Sequence, residues 1–186
     1  MSDSAKSPAL ITELRSGSRE SLDRLVPLLY QELRAIAHRH IARRPNGGTL
    51  ETTGLVHEAY LKVVDQSRAD APDHAHFLAL ASLAMRHVLV DRAKAWGRLK
   101  RGGACGRVTF DEDQIAADDQ PEALLQLDDA LTWLAELEPR LARVVECRFF
   151  GGLTEEEIAK ALGVTVRTVQ RDWAKSRMLL RRALES

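Results

Sequence analysis

The 186-residue sequence predicts an all-α protein, two small helical domains joined by an acidic linker. Three observations carry that expectation. Apolar residues recur at spacings of three, four and seven along most of the chain, and strand-like alternation is scarce. Prolines, glycines and Ser/Thr cap positions punctuate those runs as helix starts and stops do. Charge is also segregated: Arg86 to Arg107 holds seven Lys or Arg and one acid, Val108 to Glu138 holds ten acids and no Lys or Arg, and Arg167 to Ser186 holds six basic residues and two acids. A formal net charge of zero hides this asymmetry. Two basic segments flanking an acidic one suggest two contacts with a polyanion, joined by a segment kept off it.

The first domain, residues 1–106, reads as a helical bundle. A short helix covers Pro8 to Arg15. Ser18 can cap a longer one with Leu22, Leu25, Val26, Leu29, Leu33 and Ile36 on one face, broken by Pro45 to Gly48. Thr52 or Thr53 starts the next helix, with Leu55, Ala59, Tyr60 and Val63 near the core. A polar connection, Gln66 to Pro72, leads to a long helix from about Asp73 to Ala95. Its apolar side includes Phe77, Leu80, Ala81, Ala84, Val88 and Leu89, and Arg101 to Gly106 ends the unit. Residues 107–120 are acidic and poor in large apolar groups, so they read as a linker.

The second domain, residues 121–186, starts with a helix led by Pro121 that bears Leu124, Leu127, Leu131 and Leu134. Pro139 opens another with Leu141, Val144, Val145 and Phe149, stopped by Gly151 and Gly152. A helix-turn-helix follows. Thr154 and Glu157 have the spacing of a capping box, Ile158, Ala159 and Leu162 give an apolar face, and Gly163 ends the helix where a left-handed backbone is needed. Thr165 can cap the second helix, whose apolar positions are Val166, Val169, Trp173 and Leu180. Its other stripe carries Arg167, Arg171 and Lys175, with Thr168 and Gln170 beside them. This combination fits a major-groove reader, and the bland alternative is a helical hairpin with a solvated basic face.

Composition narrows the function classes. No apolar run is long enough for a membrane span, and the start lacks the pattern of a signal peptide, so a cytoplasmic location is expected. Cys105 and Cys147 form neither a disulfide framework nor a zinc set. His38 with His40, and His74 with His76, lie two apart and point away from each other on a helix, without further ligands. His57-Glu58 lacks a second histidine, and no phosphate loop or nucleophile elbow is present. No enzyme activity, cofactor or metal is expected.

The order of parts resembles the extracytoplasmic-function (ECF) group of the sigma-70 family of bacterial RNA polymerase sigma factors, over roughly Ala9 to Leu184. Leu137 to Ala159 is similar to the family's region 4. Leu25 to Arg34, Leu55 to Lys62 and Phe77 to Lys94 are similar to region 2. The resemblance implies two contacts with promoter DNA on core RNA polymerase, which supplies the chemistry. Region 4 places its recognition helix on the minus-thirty-five element, and the matching positions are Arg167, Thr168, Gln170, Arg171 and Lys175. Arginine can donate twice to guanine, glutamine can pair with adenine, and lysine mainly neutralises phosphate. Asp172 could accept from cytosine or pair with a neighbouring arginine on its own helix, and the spacing favours the pair.

Region 2 implies binding and opening of the minus-ten element. Arg86, His87, Arg92, Lys94, Arg98, Lys100 and Arg101 supply positive charge, and Trp96 offers a ring that stacks on a base or packs on the surface. His87 stands where many relatives carry asparagine, and the connection from Gln66 to His76 matches a loop that can pocket a flipped base. The helix from Leu55 to Val64 implies contact with the polymerase clamp through Leu55, Val56, Glu58, Tyr60 and Lys62, of which the apolar members also suit a core. Gly54 and His57 depart from the acidic residue and glutamine common in relatives. An anti-sigma factor is a further candidate partner. Two other readings compete: a stand-alone helix-turn-helix regulator, for which the basic Arg86 to Arg107 segment is surplus, and a non-DNA adaptor, for which the Arg167, Arg171, Lys175 stripe is surplus.

Overall fold

The computed structural model describes residues 30–31, 33–37, 53–62, 74–99, 108–110, 115–117 and 121–185. Helical residues 30–31 and 33–37 form α1, 53–62 form α2, and His74–Leu99 forms α3. Leu33, Ile36 and Ala37 of α1 and Leu55, Val56 and Ala59 of α2 are buried. They meet Phe77, Ala81, Ala84, Met85, Val88 and Leu89 of α3, all buried at the predicted helical spacing. Leu80 is only partly buried, and α3 runs four residues past the expected end at Ala95. The helices expected at Pro8 to Arg15 and before residue 30 lie outside the described residues.

The segment expected to be a plain linker contains a small antiparallel ribbon. Strand β1 (Val108–Phe110) pairs with β2 (Ile115–Ala117), Val108 opposite Ala117 and Phe110 opposite Ile115. Val, Thr, Phe and Ile favour extended backbone, and these short runs escape notice among the surrounding acids. The ribbon is not isolated: β1 lies beside α4 and α7, and β2 beside α4, two helices of the second unit.

In that unit α4 (Pro121–Leu137) buries Leu124, Leu127, Leu131 and Leu134 as predicted. Each such leucine contributes about 1.5–3 kcal/mol on leaving water. Helix α5 (Pro139–Val145) does not continue as an α-helix through Phe149. It widens into a π-helical turn, Glu146–Phe150, where the Gly151 N–H donates to the Glu146 carbonyl at 3.2 Å. Gly152 then takes a left-handed φ of 62°. Helices α6 (Glu155–Leu162) and α7 (Val166–Leu184) complete the chain.

The two units are not held apart. Helix α3 packs against α4, the π turn and α6, and one continuous apolar core runs through both halves. The separation inferred from the charge pattern is therefore absent from this arrangement. No helix among the described residues is long and apolar enough to cross a membrane.

Candidate nucleic-acid interface

The helix-turn-helix forms by the local rules its sequence follows. The Thr154 hydroxyl accepts from the Glu157 N–H at 3.2 Å, and the Glu157 carboxylate accepts from the Thr154 N–H at 2.8 Å. Gly163, at φ 64°, turns the chain, and the Thr165 hydroxyl caps α7 by accepting from the Thr168 N–H at 3.2 Å. Val169, Trp173 and Leu180 bury one face of α7. The Arg148 guanidinium lies 4.8 Å from the Trp173 ring centroid, a cation–π contact beneath the turn.

The opposite face of α7 is open. Arg167, Gln170, Arg171 and Lys175 are exposed, and Thr168 is half-buried beside its capping threonine. The Arg171 side chain keeps 72% of its surface, with Asp172 a distant 3.7 Å away. Gln170 Nε2 donates to Glu155 Oε2 at 2.7 Å, so the first helix holds its amide. Lys175 donates to Glu138.

Asp172 faces inward, with 3% exposure, and its main partner is not on its own helix. Arg140 of α5 reaches it at 2.6 Å, and Ser176 donates to the Asp172 carbonyl while lying 3.2 Å from the Leu141 carbonyl. The carboxylate raises the Arg140 pKa above its ordinary value, by hydrogen bond first and then by charge. Thus α5 grips the inner side of α7 and leaves the basic stripe outward.

The residues expected on α3 divide. Arg86 is 6% exposed and points into the junction of the two units. Its Nε donates to Asp128 Oδ1 at 2.8 Å, Nη1 to Glu146 Oε1 at 2.6 Å, and Nη2 to the Asp128 carbonyl at 2.9 Å and to Thr132 Oγ1 at 3.0 Å. A guanidinium with its donors so occupied is not offered to DNA in this arrangement, which corrects the sequence expectation for Arg86. His87 is half-buried, and its pKa is lowered by burial first, then by the charges of Lys62 and Arg86. Lys94 and Trp96 are exposed, Trp96 by 49%. Arg92 pairs with Glu58 at 3.2 Å. Arg98 lies on the last turn of α3, while Lys100 and Arg101 fall outside the described residues.

On α2, Leu55 and Val56 are 1% and 0% exposed, so they are core and not the contact surface they were expected to join. Tyr60 is half-buried against that core. Glu58 and Lys62 reach the surface, and Lys62 pairs with Asp91 of α3 at 2.7 Å. Leu61, missed in the sequence, is 51% exposed beside them.

A family model described as ECF sigma factor matches residues 5–186. The chain belongs to the ECF sigma factor family. A search of the curated proteins finds no match. As an ECF sigma factor the chain is a regulatory, non-enzymatic protein that directs RNA polymerase to promoters and assists initiation. Nothing supports a stand-alone regulator. For this sigma factor, sequence reasoning missed Arg140, which holds α7 from behind, Glu138 and Glu155, which engage Lys175 and Gln170 on its open face, and Asp128, Thr132 and Glu146, which engage Arg86. Each is an ordinary polar residue in a helical sequence, and only the fold brings it to its partner.

Proposed function

We propose that residues 1–106 bind core polymerase and the minus-ten element, and residues 121–186 bind the minus-thirty-five element. The observation that carries this reading is the outward stripe Arg167, Arg171 and Lys175 on a helix clamped from behind. Arg167, Arg171 and Gln170 meet base edges; Lys175 and Thr168 meet the backbone. On the first unit, Lys94, Arg92, Arg98, Lys100 and Arg101 track phosphate, His87 lies beside them, and Trp96 stacks on an exposed base. Glu58, Lys62 and the edge of Tyr60 meet the polymerase clamp, with Leu61 as their apolar neighbour. An anti-sigma factor competes for these same surfaces, and the protein works in the cytoplasm.

Each unit is small, so affinity comes from linking the two grips on one enzyme. Gel-shift and run-off transcription with purified core polymerase test this. The free chain should bind promoter duplex weakly, and core plus chain should start RNA at one site. Tight sequence-specific binding by the free chain, with no effect on start sites, overturns it.

A further inference from the structure

Gln170 stands on the outward face of α7 beside Arg167 and Arg171, and all three are exposed. Its Nε2 donates to Glu155 Oε2 at 2.7 Å. A carboxylate accepts and does not donate, so it takes the N–H end of the amide and turns the carbonyl end away. An unheld glutamine presents either end to a ligand. Glu155 removes that choice.

Glu155 is itself fixed. It opens α6, where a carboxylate suits the positive end of the helix, and its other oxygen, Oε1, accepts from Arg148 Nη1 at 3.2 Å. Arg148 belongs to the π turn, and its guanidinium lies 4.8 Å from the ring centroid of buried Trp173. Each oxygen of the half-buried carboxylate therefore has a partner. A line of contacts runs from the inner face of α7, through Arg148 and Glu155, back out to Gln170.

Base edges in the major groove differ in what they offer an outward carbonyl. Adenine presents the N6 amino group and cytosine the N4 amino group, whereas guanine and thymine present only acceptors there. On the strand that Gln170 reaches, its Oε1 can bond to an amino base and meets another acceptor on a keto base.

We propose that Glu155 is a positioning residue for base selection, resting on the base-reading role given to Gln170 above. By aiming the Gln170 carbonyl outward, it makes one upstream promoter position accept adenine or cytosine and refuse guanine or thymine.

Run-off transcription with core polymerase, on promoters carrying every base at every minus-thirty-five position, tests this. Gln170→Ala identifies the position concerned, as the one whose base preference it flattens. Wild type should favour the amino bases there by about threefold to tenfold, the factor of one hydrogen bond made or missed. Glu155→Gln keeps the side-chain length but accommodates either end of the Gln170 amide, so keto bases should regain that factor at this position and at no other. Ratios within one variant do not depend on how much of it is folded. Glu156→Gln, which removes a charge from the same helical turn, should keep the wild-type preference, and Glu155→Gln should add nothing in the Gln170→Ala chain. A keto preference in wild type, an unchanged preference in Glu155→Gln, or the same shift in Glu156→Gln or on top of Gln170→Ala overturns the proposal while leaving Gln170 a base reader. If Gln170→Ala flattens no position, Gln170 reads no base, and the proposal falls together with that reading.

Discussion

Arg171 and Lys175 carry the same charge one helical turn apart, yet their chemistry separates them. The guanidinium is a planar fork able to donate twice to one base, while the ammonium is a point charge, here already turned to Glu138. Arg171→Ala should therefore weaken recognition at one upstream position by about 1–3 kcal/mol, and Lys175→Ala should weaken all sequences alike. Equal losses for Arg171→Ala on matched and mismatched promoters would contradict its base-reading role. His87 gives a residue-scale pH dependence. Its pKa is depressed in the folded chain, so folding favours the neutral ring. That contribution to stability is complete above the unfolded value near 6.5 and is lost as pH falls through the folded one. Melting curves between pH 7.5 and 5 should show a smaller acid-side drop for His87→Gln than for wild type. The outward stripe of α7 was legible because helical periodicity is local. Arg86 was not, because its carboxylate partners lie 42 and 60 residues away in the chain.

Among elements, the helix-turn-helix was the most legible, since cap, turn glycine and apolar spacing sit within a few residues of what they determine. Thr154→Ala removes the hydroxyl half of the capping box and should lower stability by about 1 kcal/mol in denaturant unfolding. The π turn left no comparable signal. Its residues, Glu-Cys-Arg-Phe-Phe, extend the helical pattern of α5, and in the fold Glu146, Cys147 and Phe150 are buried within the widened turn. The β1–β2 ribbon escaped for the opposite reason, because three-residue strands give too few positions for alternation to register. Gly151 tests the packing of the turn. Gly151→Ala forces a methyl against Ser82 and Leu153 and should destabilise the chain by about 1–3 kcal/mol, whereas alanine at exposed Gly163, where nothing lies within 4 Å, acts through its left-handed backbone alone. If both variants unfold at the wild-type denaturant midpoint, neither packing nor backbone strain acts there.

At the scale of the whole molecule, the family and helical class were legible, while the closure of one half on the other was not. Closure depends on surfaces that a linear pattern cannot pair. It also shields a reporter. Burial pushes the Cys147 thiol up to about 12, so it carries almost no thiolate at pH 8. In the Cys105→Ser chain, alkylation of Cys147 should be slow in the native protein and fast in denaturant, and equal rates would contradict its burial. The placement of the Arg86 acceptors has one more consequence. Asp128 and Thr132 lie on α4 and Glu146 on the π turn, so none of the three belongs to α7 or α2. The junction and the outward stripe of α7 are therefore built from different residues. Thr132→Ser keeps the hydroxyl that Arg86 reaches, while Thr132→Val removes it, so the firmness of the junction can be tuned without touching the stripe that faces outward.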